Sequence, residues 1–307
     1  MIHNRPIQTE ADYWRVYRFL IDHVRHVPLG FHWDMRRWEG MRFYEASPAG
    51  NVGWMNGRHL WEDDGQLVGM AHQEGGSVAY LEIHPDYRHL EPEMVVWAEA
   101  NLLRPVPEGD GKQLHFFVYE YDTARQELLA ARGYEKMSYG GVIRQMWFGE
   151  HELAQPHMAD GYTMRTTNPE DLADCQRIAD LLNAAFGRSF HTAEEYQWFT
   201  RKAPGFRQYL DLVAVTADGT FASYVGIPYD DVNQRGVFEP VCTHPGHRQR
   251  GLGKALMQEG LLRLQAIGAA DVTVETGDMI PANALYGSLG FTQVEKGHYW
   301  RKLFENE

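Results

Sequence analysis

Cysteine is scarce in this chain: two residues in 307, Cys175 and Cys242. Two thiols build no disulfide framework, which excludes the small stapled secreted scaffolds and points to a reducing cytoplasm. Long apolar runs are missing too: nothing approaches the ~18 residues a membrane helix needs. The first residues, MIHNRPIQTEADYW, lack the apolar stretch of an export signal. Positive charge is also short, with 29 Lys and Arg against 42 Asp and Glu, a net charge of −13. The excess is spread evenly, 22 acidic against 15 basic residues over 1–150 and 20 against 14 beyond. A field of that sign disfavours nucleic acid and anionic membranes and mildly favours a cationic small molecule, besides keeping the chain soluble. Histidine is plentiful at 15, yet no cysteine or carboxylate cluster completes a four-ligand set around the pairs 23/26, 84/89 or 244/247, so no metal is expected.

What is present centres on residues 238–258, FEPVCTHPGHRQRGLGKALMQ. A short extended run over 238–243 carries one carboxylate, Glu239. A turn follows, with Pro245, Gly246, Gly251 and Gly253 as breakers and Arg248 and Arg250 as cations. Beyond it Met257, Gly260, Leu261, Leu264 and Ile267 recur at helical spacing. A strand, a basic glycine-rich turn and a helix N-terminus suit a phosphate: the first helical N–H groups lack intrahelical partners, and the helix dipole adds positive potential there. The Walker pattern is excluded because Lys254 precedes Ala255 rather than Ser or Thr. The dinucleotide pattern fails at Leu256, where it requires a third glycine.

The chain also repeats itself. Arg5 and Glu10 line up with Arg165 and Glu170, and His84, Pro85 and Arg88 with His244, Pro245 and Arg248, both at an offset of 160. Gly133-Tyr134 against Gly290-Phe291 gives 157. The copies meet in the polar residues 149–160. In the first, helices are expected over 11–27, 94–103 and 123–131, strands over 78–83 and 114–119, and a hairpin at Asp64-Gly65. Trp33, Trp38, Trp54 and Trp61 read as core, interface or cleft wall. In the second, Asn168 and Pro169 read as cap and first turn of a helix through Phe186, and Thr192 with Glu195 as a capping box. Strands are expected over 162–165, 210–216, 220–226, 271–276, near 291–294 and over 298–303.

With R-x-x-G-x-G from Arg248 to Gly253, Val241 and Pro245 ahead of it, and PANALYGSLGF over 281–291 behind, the second copy resembles the GNAT superfamily of N-acetyltransferases. The two motifs correspond to that family's coenzyme A pyrophosphate loop and closing helix. The resemblance covers residues 161–303 well and 1–150 in outline. It implies an α/β fold of two tandem GNAT-like domains, each a mixed, mostly antiparallel central sheet flanked by helices. The first, residues 1–150, is degenerate; the second, 161–307, is the catalytic acetyltransferase.

The resemblance further implies acetyl-CoA as co-substrate. Its diphosphate would lie on Arg248, Gln249, Arg250, Gly251, Leu252, Gly253 and Lys254, and its pantetheine arm on Val241, Cys242 and Thr243. Tyr286 matches the tyrosine that protonates the departing thiolate. Glu239 is the general base, directly or through water, with Glu275 on the neighbouring strand as the alternative. Where the family often has asparagine, seven residues before its tyrosine, this chain has Met279, and Asn283 is the nearest asparagine for the cofactor. Direct attack by the amine is implied rather than an acyl-enzyme on Cys242. Pro240 has no N–H to offer a carbonyl and marks a break in the strand ladder, where the family splays its sheet. The expected activity is acetylation of a primary amine of a small molecule. A non-catalytic acyl-CoA-binding module and aminoacyl transfer by a paired GNAT-like fold remain as alternatives. In the first copy Glu91, Pro92 and Glu93 replace Gly251, Leu252 and Gly253, and Leu129 replaces Tyr286. One acetyl-CoA per chain is therefore expected, with the first copy shaping the acceptor cleft or an interface, a homodimer included.

Overall fold

The computed structural model of the chain describes residues 1–44, 53–74, 76–107, 109–149 and 152–305. Part of the tryptophan-rich segment and of the junction between the copies thus lies outside the described residues. The first half runs β1 (Ile2–Pro6), α1 (Glu10–His23), α2 (Met35–Phe43), β2 (His59–Asp63), β3 (Gln66–Gln73), β4 (Val78–Ile83), α3 (Glu91–Asn101), β5 (Arg104–Pro105), β6 (Lys112–Tyr119), α4 (Thr123–Ala131) and β7 (Glu135–Trp147). The second runs β8 (Tyr162–Thr166), α5 (Leu172–Phe186), α6 (Ala193–Lys202), β9 (Asp211–Thr216), β10 (Phe221–Gly226), β11 (Tyr229–Asp230), β12 (Arg235–Val237), β13 (Val241–Thr243), α7 (Leu252–Ala266), β14 (Asp271–Gly277), α8 (Ile280–Ser288) and β15 (Gln293–Phe304). The bounds of β1 and β8 lie 160 residues apart at both ends, as the repeat requires.

Local chemistry sets the element starts. Capping boxes open α1 (Thr9 with Asp12) and α6 (Thr192 with Glu195). Asp64 and Gly65 both take positive φ, the twist a two-residue hairpin between β2 and β3 needs. The cap of α5 corrects the sequence reading. Asp171 caps it, accepting from the N–H of Ala173 at 3.0 Å, while Asn168 closes an earlier turn on the N–H of Glu170. Pro169 therefore precedes the helix instead of opening it.

One eleven-stranded sheet spans both halves, in the order β1-β2-β3-β4-β6-β15-β7-β14-β12-β11, with β5 beside β6; β13-β10-β9-β8 form a second sheet. The halves exchange their last strands. β15 of the second pairs antiparallel with β6 of the first, and β7 of the first pairs antiparallel with β14 of the second. Between them β7 and β15 pair with each other. A boundary at residues 149–160 is thus one of sequence, not of sheet. β15 is also one strand where two were expected. Gly297 is a crossing point: a Cβ there would come within 2.5 Å of the Phe117 ring, and one on Gly140 of β7, which pairs with the next residue His298, within 2.0 Å of the Gly297 carbonyl oxygen. The missing side chains let the exchanged strands pass.

Apolar cores lie on both sides of this sheet. One cluster joins α7 to β9, β10 and β14, and another joins α3 to β3, β4 and β6. A third packs α1 and α2 and draws in Phe199 of α6 and Ala203 just past its end, which seats the first half's helices against the second. All four tryptophans are buried in these cores. Among the described residues no helix is long and apolar enough to cross a membrane.

Candidate active site

The strand before the glycine-rich turn is broken at Pro240. β12 runs parallel to β14 as far as the bond from the Phe238 N–H to the Thr273 carbonyl oxygen, 2.8 Å. At Glu239 the chain leaves that sheet. The Glu239 N–H donates to the Gly226 carbonyl oxygen at 3.0 Å, and β13 continues in the other sheet beside β10. A wedge opens between β13 and β14. In the first half the matching residues form the unbroken strand β4, which keeps a parallel contact with β6.

β13 is an edge strand. Its even residues face β10: the Pro240 carbonyl accepts from Gly226, Cys242 pairs with Tyr224, and the His244 N–H donates to Ala222. By the alternation of an antiparallel ladder, the backbone groups of Val241 and Thr243 face the open wedge. Such an edge accepts an extended ligand as an added strand. Cys242 is buried, and burial pushes its thiol up to about 12, far from a thiolate.

Past β13, Gln249 and Gly251 both take positive φ, and α7 starts at Leu252 behind Gly251 with no side-chain cap. The first intrahelical donor is the N–H of Ala255, to the Gly251 carbonyl. The N–H groups of Leu252, Gly253 and Lys254 therefore point off the helix end, as an anion site needs. Arg250 and Lys254 are exposed beside it. Arg248 is engaged elsewhere: its guanidinium donates to the carbonyls of Thr243 (3.3 Å) and Ala185 (3.0 Å), pinning the turn to β13 and α5. Asn283 is likewise taken up, donating to the carbonyls of Gly277 and Met279 and accepting from Arg144, so it shapes the corner between β14 and α8.

Glu239, Glu275 and Tyr286 come together in one cleft of about 550 Å³ between the halves. Tyr286 is 6% exposed, and burial pushes its hydroxyl up to about 12, so it holds its proton at neutral pH. Glu239 carries a carboxyl raised above the usual range by burial, with Arg36 the foremost influence in the opposite direction. Glu275 is raised for the same first reason, but it is tied: Arg37 donates to it at 3.2 Å and the Tyr119 hydroxyl at 3.4 Å.

The first half supplies the far wall. Arg36, Arg37 and Gly40 of α2, Glu74 and Tyr80 line it. Arg37 also donates to Glu74 and, at 3.1 Å, to the Tyr80 hydroxyl, and lies over the Trp33 ring. His191, ahead of α6, lines the cleft with Nδ1 held 2.9 Å from Glu195. Sequence reasoning missed the α2 residues. The signal was MRRWEGMRF, two adjacent cations in a helix that otherwise buries its side chains, but nothing in the string says which half they face. Among the described residues no group of three His, Cys, Asp or Glu is placed to hold a metal.

The model of the acetyltransferase (GNAT) family matches residues 175–291. The mycothiol acetyltransferase of Actinosynnema mirum is 27% identical over 254 residues, a match covering 75% of this chain and 78% of that protein. Streptothricin acetyltransferase of Streptomyces lavendulae is 35% identical over 80 residues, 26% of this chain and 42% of that protein, so the likeness spans less than half of that relative. Among solved structures, a tandem GNAT protein from the clavulanic acid biosynthesis pathway superposes with a TM-score of 0.71 at 18% identity, covering 100% of both chains.

Proposed function

The chain belongs to the GNAT family of acetyltransferases through its second half, and from that premise we propose that it acetylates a primary amine of a small molecule. Acetyl-CoA supplies the activated acetyl group. The N–H groups at the start of α7, with Arg250 and Lys254 beside them, would hold its diphosphate, and the open edge of β13 its pantetheine arm. The fit rests on donors that have no other partner, and on a strand edge that has no neighbour, among the described residues.

The chain's own residues divide the proton work. Glu239 takes a proton from the acceptor ammonium and frees the nitrogen lone pair. An outward N–H of β13 polarises the acyl carbonyl; Val241 is the nearest donor to the wedge, since Pro240 has none. The new C–N bond forms as the C–S bond breaks; Tyr286 gives its proton to the sulfur, and the second proton that the nitrogen sheds in becoming an amide restores the phenol, while the one held by Glu239 leaves to solvent. Glu239 is favoured over Glu275 because Arg37 and Tyr119 already occupy the latter. Cys242 stays out of the reaction as a neutral, buried thiol.

The observation that carries this reading is the junction itself. At the break at Pro240 the open edge of β13, Glu239 and the protonated Tyr286 line a single cleft, and β13 leads on through the turn to the uncapped start of α7. The test is acceptor-dependent thiol release from acetyl-CoA across a panel of small amines, with the acceptors named by the two relatives among them. Tight acetyl-CoA binding with silence across a broad panel would favour a binding module instead.

A further inference from the structure

Charged groups in the cleft can be sorted by whether the protein already satisfies them. Arg37 is closed by Glu74 and Glu275, and His191 by Glu195. Arg188 stands at the exposed mouth, stacked on Phe186 and Phe190. Two groups remain inside, the Glu239 carboxylate and the Arg36 guanidinium. Both line the cleft, and among the described residues neither makes an ion pair, with the other or with anything else.

Arg36 is held in place with some care. It is only 7% exposed, and its guanidinium rests over the stacked rings of Tyr44 and Phe199, at 5.1 and 4.6 Å from their centres. One edge of the fork is directed by Nε at the Glu239 carbonyl oxygen, 3.4 Å away. Nη1 lies against Gly40, where a Cβ would come within 2.7 Å of it. Glycine inside a helix is unfavourable relative to alanine; here it leaves the space the guanidinium occupies. The side chains of Glu239 and Glu39 support its charge without pairing with it. Among the described residues the fork's hydrogen-bonding capacity is therefore left largely unused, and burying unused donors is costly. A planar fork stacked on aromatic rings with one edge free is the shape that receives a carboxylate in two parallel hydrogen bonds.

We propose that the acceptor is an α-amino acid, its ammonium at Glu239 and its carboxylate on the free edge of Arg36. The guanidinium is tied to the backbone of the residue that carries the carboxylate, and the two side chains line the same cleft and act on each other's charge, an arrangement suited to a ligand that carries an ammonium and a carboxylate close together. This deepens the acetyl-transfer reading and rests on it: the bonds made and broken are those above, and the product is the N-acetyl amino acid. It also gives the first half a task. The second half would hold the donor, and α2 of the first half would select the acceptor.

The test pairs amino acids with amines lacking only the carboxylate: L-phenylalanine with phenethylamine, L-tryptophan with tryptamine, L-lysine with cadaverine. Thiol release from acetyl-CoA is followed with the full chain. In at least one pair kcat/KM is expected to favour the amino acid by a hundredfold or more. Arg36→Gln should shrink that ratio to below tenfold, with Arg36→Lys, a charge without the fork, between them. Amines that match or exceed their amino acids in every pair would overturn the proposal and leave acetyl transfer standing. So would a preference for amino acids that is unchanged in both variants. Acetyl-CoA bound in calorimetry, with no thiol released by any compound, would remove the acetyl-transfer reading and this proposal together. Should both variants fail to fold, the wild-type ratio decides.

Discussion

Tyr286 and Glu239 face one cleft from α8 and from the break before β13, and substitution separates their roles. On the proposed mechanism, Tyr286→Phe removes a proton donor needed only as the C–S bond breaks. It is expected to lower kcat by two or more powers of ten, a typical general-acid contribution, while acetyl-CoA affinity stays within about twofold. Stopped assays for kcat and calorimetry for affinity test this, and a wild-type kcat would show the sulfur leaves without the tyrosine. The proposed base, Glu239, can serve only when ionised, and burial raises its carboxyl above the ordinary value. The acid limb of kcat/KM should therefore fall as pH drops through a point above the usual carboxylate range. Arg36 and Arg37 from α2, Asp34 that caps it, Glu74 after β3 and Glu275 from β14 all act on that point. Glu239→Gln should lose the limb along with most of the rate; a variant keeping both would hand the role to Glu275. A third carboxyl affects stability rather than catalysis. Glu39 of α2 is fully buried, accepts from the Gly205 N–H and the Tyr17 hydroxyl, and is raised from 4.5 to about 7, first by burial. A carboxyl raised on folding stabilises most below its unfolded value, and that contribution is lost as pH climbs through the folded one. The difference amounts to about 3 kcal/mol by pH 8. Glu39→Gln should thus raise the urea midpoint at pH 8 and change it little at pH 5. The candidate base and acid were legible as residues because family motifs frame them. Arg36 and Arg37 were not, because their meaning depends on the opposite half.

At the scale of elements, most of the second half could be read from capping boxes, glycines and apolar spacing. Even Pro240 spoke before the structure did, as a residue that cannot donate to a ladder and so marks where the two sheets part. What could not be read was partnership. β7 and β15 are good strands by composition, but nothing local says that each completes the other half's sheet; that is settled by Gly140 and Gly297 and by the register against β6 and β14. The helix start of α7 carries the element's own prediction. A Cβ on Gly253 would meet Thr243 Oγ1 at 3.6 Å and Ser223 Oγ at 3.9 Å, ordinary contacts that leave the fold intact. The carboxylate of Gly253→Asp would face the anion site. A like charge ~4 Å from the diphosphate costs about 4 kcal/mol at an effective dielectric of 20, roughly a thousandfold in affinity. Calorimetry should find acetyl-CoA binding lost while thermal unfolding is unchanged. Retained affinity would move the diphosphate off this turn.

For the whole molecule, the exchange of β7 and β15 means that neither half closes its sheet alone, so the number of binding sites must be asked of the intact chain. One acetyl-CoA per chain is expected, in the second half. The first half has closed its own version of the site with protein. At the start of α3 the buried Glu91 carboxylate accepts from Arg88 at 2.7 Å and from Arg125 at 3.2 Å, and Asp122 accepts from Arg88 at 2.6 Å. Both guanidiniums lie over the Phe31 ring, 5.2 Å from its centre. Glu91 and Glu93, standing where the second half has two glycines, would exclude a diphosphate by charge repulsion if their carboxylates were free. The geometry supports a different cause for Glu91: its charge is met, and the cations that would attract a diphosphate are the ones meeting it. Glu93 is spent on Asn4 and Trp61, Pro92 offers no N–H, and β4 runs unbroken where β13 turns away. Leu129, in the place of Tyr286, is core. Titration calorimetry of the full chain should therefore give a stoichiometry near one, and Gly253→Asp should take it to zero. A stoichiometry near two, or one site surviving in Gly253→Asp, would mean that the first half still binds the donor despite its filled turn.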